Sequence, residues 1–243
     1  MIHLFKVFTR KVPPQVKWML VLVIFPLYFY CSSIIGSAMI KFLIITFSLQ
    51  LDYTTVNCYL NFIVDLSMLI IVGLTMKKMI IDQWNDFKKD IKENLLYGCV
   101  VGTLLIYGVN IVGGMITLML GGNASSENQQ LVVSITMAHP AIMVFTTVVL
   151  APLLEEFIFR GMVFGWLYEW NPKIAHFVSA FIFGFIHVMS AVLSGNLSEW
   201  IQIFSYFFMG GVLSYLYEKK NNIFVPILTH SMNNLISMLM ILL

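Results

Sequence analysis

The sequence predicts an all-α integral membrane protein, a polytopic bundle of about seven transmembrane helices with one amphipathic helix at the surface. Three observations carry this. Of 243 residues, 59% are hydrophobic and 11% charged, whereas a soluble domain carries about 25% charged residues. Apolar runs close to the ~20 residues that span a bilayer recur along the chain. Apart from Lys41 and Arg160 inside apolar runs, Lys and Arg gather in alternate connections. The net charge of +2, without a basic tract, gives no reason to expect nucleic acid as a partner. The lipid bilayer is the partner that the composition implies.

Residues 1–17 are basic and broken by prolines, with Lys6, Arg10, Lys11 and Lys17. The apolar run over 18–49 that follows is too long for a secretory leader and reads as an uncleaved first span, straight or kinked. A second span over 54–76 ends at Lys77-Lys78 and carries Asp65 near its middle. Asp65 is expected to be a hydrogen-bonded packing residue, the alternative being a polar group that lines a cavity. Over 79–96, Ile80, Trp84, Phe87, Ile91 and Leu95 recur at three- and four-residue steps between Lys and Asp residues. That pattern predicts an amphipathic helix lying on the membrane surface.

A third span is expected over 97–120, then a polar loop, Gly121 to Gln130, without Lys or Arg. His139-Pro140 precedes a long apolar helix reaching about Trp170, and Asn171-Pro172-Lys173 is a turn. Further spans are expected over 174–193, 199–217 and 222–242, with His139 and His176 interfacial. Cys31, Cys58 and Cys99 lie far apart in apolar segments and read as packing residues. The chain is expected to form a single membrane domain over 1–243, with the N-terminus cytoplasmic by the positive-inside rule.

The chemistry is concentrated late in the chain. Glu155, Glu156 and Arg160 sit inside a strongly apolar segment, where each charge costs about 2.5–3.5 kcal/mol even on the mildest scale. Glu156 and Arg160 are spaced i,i+4 and are expected to pair. Glu155 points about 100° away on the helix and is free for another task. His187 lies in the next span; His230 and Asn234 share one face of the last. Counted at 1.5 Å per residue from the presumed cytoplasmic ends, these groups fall ~15–22 Å deep, in one layer. A carboxylate in an apolar cavity is a competent general base, and His187 can orient a water. His230 and Asn234 offer N–H donors to an oxyanion. The set suits attack of water on an amide carbonyl. Two His and one Glu also form a plausible zinc set, but without HExxH spacing. A purely structural ion-pair cluster is the remaining alternative.

Glu155-Glu156-x-x-x-Arg160, Phe183-x-x-x-His187 and His230-x-x-x-Asn234, in this order, resemble the three motifs of the CPBP family. These are the CAAX-processing and bacteriocin-processing intramembrane proteases, also called Abi proteins, which include the Ras-converting enzyme. The resemblance covers about 140–240. It implies a multi-helix membrane peptidase in which Glu155 activates water with help from His187, while His230 and Asn234 stabilise the oxyanion. Glu156 and Arg160 would shape the site. No cofactor is required on this reading, although family members have also been considered metalloproteases, so zinc stays open. The implied substrate is a peptide or protein at the membrane, in peptide maturation or bacteriocin self-immunity, and the expected location is a bacterial cell membrane. Two other functions compete: a non-catalytic immunity or scaffold protein, and an ion-coupled transporter. Transport is disfavoured because the polar groups have no counterpart in the first half of the chain.

Overall fold

The computed structural model describes residues 8–243, without the side chains of Ser32 and Ser33. Lys6, one of the basic N-terminal residues, lies outside the described residues. Every regular element among those described is helical. We number them α1 (14–47), α2 (Tyr53–Thr75), α3 (Lys77–Lys89), α4 (Ile91–Met119), α5 (Glu127–Ala138), α6 (Pro140–Tyr168), α7 (Pro172–Leu193), α8 (Ile203–Lys220) and α9 (Phe224–Leu242). Six helical segments are long and apolar enough to cross a membrane: Pro14–Cys31 within α1, α2, α4, α6, α7 and α9. Helix α8 packs among them, its charges Glu218, Lys219 and Lys220 confined to its last turn.

The helix starts follow from local chemistry. Asp52 caps α2 by accepting from the Thr55 N–H at 2.7 Å, and Ser126 caps α5 by accepting from Gln129 N–H at 3.1 Å. Pro140 and Pro172 occupy first-turn positions, where no donor is lost. The first apolar run is one helix that begins four residues before Trp18 and contains two widened turns, Leu20–Ile24 and Leu27–Cys31.

Three expected boundaries are corrected. The amphipathic helix ends at Lys89, because the backbone breaks at Asp90 (φ −120°, ψ 40°) and Ile91 and Leu95 belong to the next helix. The segment before His139 is a helix of its own, α5. The sixth span starts late: Leu197–Gln202 forms a 3₁₀ turn before α8. Helix α3 also does more than lie on lipid. Gln83 accepts from the Ile223 N–H and donates its side-chain amide to the Tyr217 hydroxyl, while Trp84 and Phe87 pack on Phe224. One face of α3 therefore docks on the α8–α9 turn, and Ile81 and Trp84 remain partly exposed.

The connections segregate. Those carrying Lys and Arg meet at one end, where Arg10 pairs with Asp86 and Asn221, and Lys17 with Glu169. Those without them are bridged at the other end by α5. Its Glu127 accepts from Asn196, and His139 beyond its last residue bonds Thr55. Half of the α6 span is buried, against 11–33% for the other apolar spans, so α6 is the central helix. Helices α7 and α8 approach closely at Gly210, where an added Cβ would lie 2.9 Å from the Ala180 backbone; at Gly211 it would meet open space.

Two outcomes are expected. Gly210→Ala forces α7 and α8 apart and costs about 1–3 kcal/mol, seen as a lowered unfolding midpoint in detergent, whereas Gly211→Ala leaves the midpoint unchanged or raised. Burial pushes the Glu169 carboxyl up. Its bonds from Lys17 Nζ and the Val12 N–H, with the charges of Lys17 and Lys11, outweigh that and hold it below the usual carboxylate range. A depressed folded-state value adds stability above the unfolded pKa of about 4.3, lost as pH falls through the folded value. The stability gap between the wild type and Glu169→Gln should therefore narrow below about pH 4.

Candidate active site

The site is built around a proline. Pro152 lies inside α6, where it lacks an N–H and its ring would strike the carbonyl one turn earlier. The preceding turn, Thr146–Leu150, is widened, and a second widened stretch runs over Phe157–Phe164. Such turns rotate the helix register and concentrate at functional sites. Between them, Ala151–Glu156 is ordinary α-helix carrying both carboxylates.

Glu156 and Arg160 are fully buried and bonded at 3.0 Å, as their spacing predicts. Arg160 Nη2 donates to the Gly210 carbonyl at 3.0 Å, and the guanidinium lies 4.5 Å above the Phe183 ring. This cation thus ties α6 to α7 and α8. Glu156 Oε1 also accepts from His230 Nδ1 at 3.1 Å, bringing in α9.

Glu155 faces the other way, into a cavity of about 410 Å³ that it lines together with His187, His230 and Asn234. The four residues that the sequence placed in one layer on three helices do surround one space. Glu155 Oε2 is buried without a hydrogen-bond partner and lies 4.0 Å from His230 Nε2. His187 Nδ1 lies 2.7 Å from the Phe183 carbonyl, which can only accept, so this nitrogen carries the proton and Nε2 is the free atom. Tyr206 stacks on the His187 ring at 4.3 Å. Phe183 therefore orients His187 through its carbonyl and supports Arg160 through its ring. Asn234 gives one amide hydrogen to the Thr147 carbonyl at 2.8 Å and keeps the second.

The geometry refines one expectation. The His230 Nδ1–H is committed to Glu156, so His230 donates from Nε2 only when the ring is doubly protonated. Asn234 needs no such change. Ser231 does not line the cavity. Among the described residues, no three His, Cys, Asp or Glu side chains converge in a metal-holding group. His176, outside the cavity, bonds Ser214 and Glu218 and is a structural residue. The cysteines are unpaired.

Asp65, expected to be a packing residue, instead lines the same cavity as Glu155. Asn61 lines it one turn earlier on α2, as do Asn128 and Gln129 of α5 and Tyr28 of α1. The signal was present in the i,i+4 spacing of Asn61 and Asp65 within an apolar helix.

Removing Arg160 alone leaves Glu156 buried and unpaired. Arg160→Met should cost about 3–5 kcal/mol in denaturant unfolding. Adding Glu156→Gln should restore part of that loss, with a coupling above about 0.5 kcal/mol in the double-mutant cycle.

Comparison with known proteins accords with this geometry. Residues 137–236 match the model of the family described as "Type II CAAX prenyl endopeptidase Rce1-like". The chain is 30% identical over 151 residues to the "Putative membrane peptidase YdiL" of Bacillus subtilis (strain 168), an alignment covering 62% of this chain and 57% of that protein. It is 28% identical over 151 residues to the "Membrane-embedded CAAX protease MroQ" of Staphylococcus aureus (strain USA300), covering 60% and 58%. The chain thus spans somewhat less than two thirds of the length of these relatives. No solved structure matches it at a significant level. The segment that resembles this Rce1-like family, residues 137–236, contains Glu155, His187, His230 and Asn234.

Proposed function

We propose that this protein is an intramembrane endopeptidase in which Glu155 activates water for attack on a peptide bond of a membrane-associated protein or peptide. The observation that carries this reading is the buried, unpartnered Glu155 Oε2 in a cavity shared with His187, His230 and Asn234. A water between Glu155 and the free Nε2 of His187 gives a proton to Glu155 as its oxygen bonds to the peptide carbonyl carbon. The carbonyl oxygen becomes an oxyanion, which the uncommitted N–H of Asn234 stabilises, joined by His230 Nε2 when that ring is doubly protonated. Collapse breaks the C–N bond, and the proton held by Glu155 passes to the leaving amine. Glu156 and Arg160 hold the His230 ring and the α6 register and take no part in proton transfer. No step requires a cofactor.

The setting we propose is maturation of a membrane peptide or self-immunity against a bacteriocin. We place the protein in a bacterial cell membrane with its N-terminus cytoplasmic, a reading supported by the segregation of Lys and Arg connections.

The test is cleavage of a panel of N-myristoylated peptides by protein in nanodiscs, followed by mass spectrometry. Glu155→Gln should lower kcat by about 10²–10⁴-fold. Asn234→Ala should lower it by about 10²–10³-fold with KM little changed. Equal cleavage by wild type and Glu155→Gln, or no cleavage across the panel, overturns the proposal.

A further inference from the structure

The cavity's electrostatics remain one-sided after the four residues above are assigned. Its wall carries two carboxylates, Glu155 and Asp65, and neither Lys nor Arg among the described residues. The nearest buried cation, Arg160, is committed to Glu156 and Gly210. Asp65 is partly exposed, and it faces the cavity it lines. No hydrogen bond or ion pair to Asp65 is formed by the described residues, although a charge at this depth is costly without a partner.

The surroundings of Asp65 suit a cation. Asn61, four residues earlier on the same helix face, offers an amide oxygen. Tyr28 and Phe29, from α1, bring aromatic rings to the same cavity, and ring faces attract ammonium and guanidinium groups. A carboxylate in this place would meet two like charges and neither Lys nor Arg in the cavity lining. A Lys or Arg side chain would meet a carboxylate, an amide and aromatic rings, and would relieve the repulsion between Asp65 and Glu155.

We propose that Asp65 determines specificity by receiving the Lys or Arg side chain of a basic peptide substrate beside the bond attacked at Glu155. The substrate class is thus a membrane-associated peptide with a cationic residue near its cleavage site. This assignment rests on the peptidase reading above.

The experiment scans the positions flanking the cleavage site of a myristoylated peptide with Lys, norleucine or Glu. The ratio of kcat/KM for the Lys and norleucine peptides is read at each position. For the wild type it should be about tenfold or more at one position, the gain expected of a charge-assisted contact. Asp65→Asn should bring that ratio close to one, Asp65→Glu should retain much of it, and Asp65→Lys should turn the preference towards the Glu peptide. A ratio near one at every position in the wild type overturns the proposal. So does an equal loss on both peptides in Asp65→Asn, which would assign Asp65 to packing or to the chemical step. If the wild type cleaves none of them, the peptidase reading fails. The Asp65 assignment is then decided by fluorescence anisotropy, from binding of the labelled Lys and norleucine peptides to wild-type and Asp65→Asn nanodiscs. Equal affinities in the wild type would sink it.

Discussion

The Glu156–Arg160 ion pair is the interaction on which the rest of the structure depends. Two charges fully removed from solvent are stable only if their geometry is good and their remaining hydrogen-bonding capacity is used. Here the guanidinium meets Glu156, the Gly210 carbonyl and the Phe183 ring, and Glu156 in turn holds His230. Four helices, α6 to α9, are tied to one another by one ion pair. The approach of α7 to α8 that this requires is permitted by the missing side chain of Gly210, against the backbone of Ala180.

That pair also sets the division of labour between adjacent carboxylates. Glu156 is consumed by structure, so its neighbour can face the cavity without a competing partner. The widened turns on either side of Ala151–Glu156 make this orientation compatible with Pro152 in mid-helix. The same economy appears in the histidines. Each has Nδ1 engaged, His187 by a backbone carbonyl and His230 by Glu156, so both rings are held through that nitrogen. Fixing the tautomer through the second nitrogen is how imidazoles are prepared for proton chemistry.

The N-terminal half contributes more than generic spans. Helices α1 and α2 bring Tyr28, Asn61 and Asp65 to the cavity, and α5 closes part of its wall with Asn128 and Gln129. These residues lie before the matched segment 137–236. Glu155, His187, His230 and Asn234 thus lie in the segment that resembles the family model, while much of the remaining cavity lining comes from outside it.

The sequence by itself determined the helical membrane architecture, since composition and run length leave few alternatives for a chain so apolar. It also determined the Glu156–Arg160 pair, because i,i+4 spacing is a property of a single helix, and the common depth of Glu155, His187, His230 and Asn234, because depth is a count of residues. What only the tertiary structure decided is which way side chains on different helices turn. Asp65 is a case in point: its spacing from Asn61 marked a polar face on α2, but that this face lines the same cavity as Glu155 depends on how α2 packs against α6. The end of α3 at Asp90, the separate helix α5 and the commitment of His230 Nδ1 were likewise hidden. Each depends on a local backbone break or a partner from a distant segment, and such contacts exist only once the helices have packed.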